Sequence, residues 1–179
     1  GSIHLIDAAG KPKLLAKADG VVEAVFAGRL YGENTLTYMA GARDCKARLF
    51  HEDGSARLTV DLQPNMDPAW VRAFCLADLD GDGKLWPVVG TAAWRVHPIA
   101  PDGKLRWVFD TTAHSVTCLA AADLNHDGRD EIAIGTVYYN VLGATADGAR
   151  LWQDEDYNDF WRAGPIFPFV LAHDVDADG

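Results

Sequence analysis

A string of alternating acidic or amide residues closed by glycine occurs three times in this chain, and no other feature limits its fold as severely. The copies are Asp78-Leu-Asp80-Gly-Asp82-Gly83, Asp123-Leu-Asn125-His-Asp127-Gly128 and Asp174-Val-Asp176-Ala-Asp178-Gly179. Alternate residues of a tightly turning loop point inward, so the first, third and fifth side chains converge, while glycine supplies a turn that a side chain would obstruct. In the second copy Arg129 offers its backbone carbonyl at the seventh position and Glu131 its carboxylate at the ninth. Such an all-oxygen set suits Ca2+ and lacks the nitrogen and sulfur that zinc prefers. The first copy offers Asp78, Asp80, Asp82 and the Lys84 carbonyl, but Trp86 stands at the ninth position, where water would have to fill in. The last copy supplies only Asp174, Asp176 and Asp178.

Each copy follows an apolar stretch, and the first two lead into another: Val88-Val89 and Ile132-Ala-Ile134. These runs are β-prone and end in Gly-Thr within a few residues, so the loops join strands. The flanking helices of an EF-hand are not expected. A second repeat runs between the loops. Ile3 to Leu14, Ala47 to Leu58, Val96 to Trp107 and Val141 to Trp152 each read as a hairpin. Each has a strand, a turn ending in Gly10, Gly54, Gly103 or Gly148, and a second strand with an apolar anchor four residues on. Gly41, Gly90 and Gly135 close the second strand of successive units, at spacings of 49 and 45 residues. Arg29 and Tyr31 occupy positions that are acidic in the later units, so the first unit's loop is expected to have lost its metal.

Four short strands repeated every ~40–50 residues predict β-propeller blades in an all-β chain. The expected division is 1–18 for the last two strands of a split blade, 19–62 for a blade with a degenerate loop, and 63–110 and 111–154 for blades carrying the loops at 78–86 and 123–131. Residues 155–179 begin a further blade that stops inside its metal loop. About three and a half to four blades predict a partial ring, completed by the remainder of a longer chain or by a second copy in a homo-oligomer.

At 179 residues and 49% apolar content the chain can bury a real core. No run is long enough for a membrane-spanning helix, so no membrane insertion is expected. The net charge of −10 argues against nucleic acid as a partner. Three cysteines in no zinc or CxxC spacing predict free thiols, buried at Cys75 and Cys118. The opening Gly1-Ser2 resembles a cloning remnant, so any native secretion signal is expected to be missing from this sequence.

The three loops between strands resemble the FG-GAP or VCBS repeats, the calcium-bearing blades of integrin α-subunit propellers and of many bacterial secreted proteins. That resemblance implies a secreted, cell-surface or periplasmic binding or adhesion module for carbohydrate or protein ligands. A fainter likeness to quinoprotein propellers rests on Gly103 to Trp107 and Gly148 to Trp152, but those tryptophans are read as blade-to-blade packing. Several polysaccharide lyases are similar propellers, so part of such an enzyme is the alternative.

Candidate ligand-binding residues lie in the connectors between blades: Trp70, His114, Tyr157, Trp161 and Arg162. Trp94, Tyr138 and Tyr139 are further stacking candidates. The aromatics would stack on sugars, Arg162 would hold an acidic group, and His114 is the one histidine placed to act as a base. His4 and His97 share a hairpin position, which predicts a shared structural role. No Ser-His-Asp set, phosphate loop or clustered zinc site is present, and no catalytic residue is assigned.

Overall fold

The computed structural model describes residues 1–63, 67–112, 114–137, 140–155 and 169–171. Among them are fourteen β-strands and no helix. Strands β1 (Ser2–Ile6) and β2 (Pro12–Lys17) form an antiparallel pair. Three four-stranded antiparallel sheets follow, each meandering in chain order. The first contains β3 (Val22–Gly28), β4 (Thr37–Ala42), β5 (Lys46–His51) and β6 (Ala56–Asp61). The second contains β7 (Val71–Ala77), β8 (Trp86–Thr91), β9 (Arg95–Pro98) and β10 (Phe109–Asp110). The third contains β11 (Val116–Ala122), β12 (Glu131–Thr136), β13 (Asn140–Ala144) and β14 (Arg150–Glu155).

One irregularity recurs in all three sheets and sets how they stack. The first strand shifts register between Val22 and Ala24, Val71 and Ala73, and Val116 and Cys118, and the residue after the shift pairs with Gly41, Gly90 or Gly135. A β-carbon on Gly41 would fall 2.0 Å from Val71 Cγ1 of the next sheet. Glycine here is what lets the next blade approach. The space between the first two sheets is filled by Leu30, Met39, Leu49, Val71, Phe74 and Val89, and that between the second and third by Val88, Val96, Val116, Leu119, Ile132 and Ile134. Full burial of each such side chain contributes about 1.5–3 kcal/mol.

A second seam runs along the outer hairpins. Leu15 lies over Gly54, Leu58 over Gly103 and Trp107 over Gly148, with contacts of 2.6, 2.9 and 2.7 Å to the β-carbon each glycine lacks. Trp107 Nε1 also donates to the Ala146 carbonyl at 2.9 Å. Trp107 is therefore blade-to-blade packing.

Three details depart from the sequence reading. In the opening hairpin the anchor is Leu15 rather than Leu14, because the β1–β2 register shifts at Ile3/His4. Trp107 precedes β10 instead of lying in it. Pro98 brings no amide to the ladder, only an isolated Ile99–Leu105 bridge follows, and regular pairing is confined to Phe109–Val96 and Asp110–Arg95. His4 and His97 do not share an environment: His97 is 2% exposed, whereas His4 is exposed and bonds Ser2 Oγ at 3.0 Å. The cause is that β9 lies inside a four-stranded sheet, whereas β1 pairs only with β2 among the described residues.

Val25 shows the same effect. Its counterparts Phe74 and Leu119 pack on the second strand of the preceding sheet and are 6% and 9% exposed, whereas Val25 is 70% exposed. None of the cysteines forms a disulfide, and Cys75 and Cys118 are buried.

Candidate metal loops and connector face

The pairs Gly28–Thr37, Ala77–Trp86 and Ala122–Glu131 bracket three loops of equal length, 29–37, 78–86 and 123–131. Their fourth positions, Gly32, Gly81 and His126, have φ of 78°, 69° and 60°. The degenerate first loop keeps this one left-handed position, but its other lies at Tyr31 (φ 55°), the third residue, where the later loops have Gly83 and Gly128 (φ 77° and 86°) at the sixth.

In the loop at 123–131 the oxygen-bearing side chains form one network. Asp123 accepts the amides of Asp127 at 3.1 Å and Gly128 at 2.9 Å. Glu131, 1% exposed, accepts the amides of Leu124 and Asn125 at 3.0 and 3.2 Å. Asn125 Nδ2 bridges Glu131 Oε1 at 3.0 Å and Asp127 Oδ2 at 3.3 Å. Burial, then the charges of Asp127 and Asp123, raise the Glu131 pKa against the pull of those two amides. Arg129 turns its side chain outward to Asp147 at 3.0 Å and reaches Asp127 at 3.6 Å. The donor types are the all-oxygen set that a hard divalent cation takes, and such an ion would relieve the repulsion of Asp127 and Asp123 on Glu131, although the three carboxylates are not drawn together into one cluster. Asp123, Asn125, Asp127 and Glu131 are the side chains that would hold it.

The loop at 78–86 repeats this capping and differs in the cations it meets: the fifth Asp accepts the seventh amide in both, Lys84 to Asp82 at 3.0 Å and Arg129 to Asp127 at 2.9 Å. Asp78 caps the amides of Gly81, Asp82 and Gly83 at 2.9, 3.2 and 2.7 Å. Asp82 pairs with Lys84 Nζ at 2.5 Å. Asp80 pairs with Arg106 at 2.7 Å, and that guanidinium lies 4.9 Å from the Trp86 ring centre. Among the described residues no three His, Cys, Asp or Glu side chains gather into a metal-holding group. In both loops each acid is turned to an amide or a cation, but in 78–86 the cations are closer, at 2.5 and 2.7 Å against 3.6 Å for Arg129 on Asp127.

Asp130, which the sequence reading passed over, joins the two loops. Its carboxylate accepts the Asp78 amide at 2.7 Å and its own amide donates to the Asp78 carbonyl at 2.8 Å. Burial first, then the charges of Asp78 and Asp123, raise its pKa against the Asp78 amide. One blade earlier the eighth residue, Leu85, accepts instead: the amide of Tyr31, at the third position of the first loop, donates to its carbonyl at 2.9 Å. An acid directly before the ninth position was the only available signal.

On the connector side, Trp70 is half-buried, with the guanidinium carbons of Arg43 and Arg72 at 4.7 and 5.9 Å from its ring centre. Glu23 ties both arginines, at 2.5 and 3.1 Å. The sequence reading named Trp70 without its arginines. His114 is half-buried and its carbonyl accepts Thr111 Oγ1 at 2.5 Å. Trp94 is half-buried at φ 62°, and its carbonyl accepts the Thr111 amide at 2.8 Å. Tyr138, Tyr139, Tyr157, Trp161, Arg162, Asp174, Asp176 and Asp178 lie outside the described residues.

No protein-family model matches this chain, and no curated protein does. Solved structures do. The crystal structure of BBS1N in complex with ARL6DN, soaked with lead, aligns with a TM-score of 0.59 at 12% identity, over 81% of this chain and 44% of that one. The same complex soaked with mercury aligns at 0.55 and 12%, over 75% and 40%. The chain thus spans less than half the length of these matched structures. Their likeness, together with the stacked four-stranded sheets, shows a β-propeller-like fold.

Proposed function

We propose that this chain is part of a calcium-braced propeller that binds a protein ligand outside the cytosol, through the connector face around Trp70. The observation that carries the binding role is the Trp70 platform, an indole flanked by Arg43 from the first blade and Arg72 from the second. Glu23 holds both guanidiniums beside the indole, and a surface held in this way lowers the cost of binding. With one Glu23 carboxylate between two guanidiniums, the flanks keep a net positive charge, which favours an acidic segment of the partner. The solved BBS1N chain was crystallised with a protein partner, ARL6DN, which supports reading these blades as a docking scaffold.

The calcium role rests on the donor set of 123–131 and on the resemblance of its string to FG-GAP and VCBS repeats. The ion would pin β11 to β12 across a loop with little apolar surface of its own. Calcium outside the cytosol is abundant enough to fill a loop of moderate affinity.

Selecting a displayed random peptide library on the immobilised chain, in calcium, tests the binding role. Acidic peptides should be enriched, and Trp70→Ala should abolish the enrichment. Enrichment that survives Trp70→Ala overturns the assignment of the face. Incubation with alginate or polygalacturonate is the companion control, since new ultraviolet absorbance from an unsaturated uronate would replace the binding module with a lyase.

A further inference from the structure

Arg57 and Arg106 stand three residues past the glycines of successive outer hairpins, Gly54 and Gly103. Both side chains reach back onto the loop of their own blade. Arg57 forks onto Glu33 with two bonds of 2.7 Å, donates to Thr37 Oγ1 at 3.0 Å, and lies 5.4 Å from the Tyr31 ring centre. In loop numbering these are the fifth, ninth and third positions. Arg106 bonds Asp80 and stacks on Trp86, the third and ninth positions of the next loop. In the third loop the same positions are Asn125, Asp127 and Glu131, and the hairpin position is Leu151. A hairpin guanidinium thus engages the loop positions from which a metal ion would be held in two blades out of three; in the third, the nearby guanidinium is the loop's own Arg129, bonded outward to Asp147 at 3.0 Å and only 3.6 Å from Asp127.

We propose that Arg57 and Arg106 are built-in cations that replace a divalent ion in the first two loops, leaving 123–131 as the single ion-binding loop of the described blades. The proposal rests on the calcium reading above and extends it to say which loops are closed to the ion, and why. In the first blade the replacement is complete: Tyr31 provides a ring instead of a carboxylate, and Arg57 holds the Glu33 pKa below its ordinary value, chiefly through their hydrogen bonds. In the second blade it is partial, because Asp78, Asp80 and Asp82 persist and Lys84 shares the work by pairing with Asp82. A guanidinium on these oxygens competes with a bound dication for their lone pairs and sets a like charge beside it, which weakens binding of the ion.

Titration calorimetry with calcium chloride reads the number of ions, in a parent chain that carries Asp174→Asn, Asp176→Asn and Asp178→Asn so that only the loops of the described blades are counted. The parent chain should bind one, and Trp86→Glu, which restores the ninth ligand but keeps Arg106, should still bind one. Trp86→Glu combined with Arg106→Leu, the residue type found at the third hairpin, should bind two. A second ion in the parent or in Trp86→Glu alone overturns the proposal, as does a double variant that stays at one.

A calcium-free arm separates this from failure of the calcium reading. In EDTA, Arg57→Leu and Glu33→Gln should each lower the melting temperature, and the double variant should lose no more than the worse single. Additive losses overturn the role of Arg57. A parent chain that binds no calcium overturns the calcium reading, and the EDTA cycle still decides Arg57.

Discussion

The β-carbon that Gly90 lacks would fall 2.4 Å from Cγ1 of Val116, closer than two carbons approach without one of them moving. The first strand of the third blade can therefore seat only because the second strand of the blade before it has no side chain there. Gly90→Ala should destabilise the chain by about 1–3 kcal/mol through overpacking. Val116→Ala, which removes the clashing methyl, should make the double variant more stable than the sum of the singles. Urea denaturation of the four-member cycle checks this, and strictly additive losses would mean that the seam lies elsewhere.

Chelation should loosen the third blade. EDTA is expected to lower the melting temperature, and Asp123→Asn should remove most of the difference between calcium and EDTA. Protons compete for the same oxygens. Because the Glu131 pKa is raised by burial and by neighbouring acids, the ionised group penalises the metal-free fold once pH has risen through that pKa. The gap between melts in calcium and in EDTA should therefore shrink as pH falls from 7 towards 5.

His97 supplies a second, metal-independent pH dependence. Burial first, then the Arg95 charge, push its pKa down to about 4 against the Trp107 backbone, from an ordinary 6.5. The unfolded chain then binds the proton first on acidification, so stability present above pH 6.5 is lost as pH falls towards 4. By pH 5 the loss is about 2 kcal/mol. His97→Leu should flatten this part of the profile, and melts at pH 7 and pH 5 in EDTA measure it. A variant as acid-sensitive as the parent would place the effect on another group.

Trp107 is half-buried over Gly148, and its indole N–H reaches the Ala146 carbonyl. Trp107→Phe should keep most of the packing and cost about 1 kcal/mol for the lost hydrogen bond. Trp107→Ala should cost about 2–3 kcal/mol, below the range for a fully buried indole. Chemical denaturation at neutral pH distinguishes the two, and equal losses would assign the whole contribution to the hydrogen bond.

The architecture was legible because its constraints are local. A turn glycine, an alternating acid string and a glycine closing a strand each show within a few residues, which is why Gly41 and Gly90 mark successive strand ends in the sequence alone. The contacts that decide which loop is open to a cation are not local. Glu33 and Arg57 are 24 residues apart, and Asp78 and Asp130 are 52 apart in different blades. Nothing in either string announces its partner. Trp70 stood out by residue type and connector position, whereas Arg43 and Arg72 became its neighbours only once the first and second sheets were stacked.

The joints at Gly41–Val71 and Gly90–Val116 are made the same way, with the hollow in one unit and the knob in the unit after it. A blade copied in tandem would arrive carrying its own knob and its own hollow, already matched to both neighbours. A lineage built from such units can grow by simple duplication, with no new surface having to arise at the insertion point.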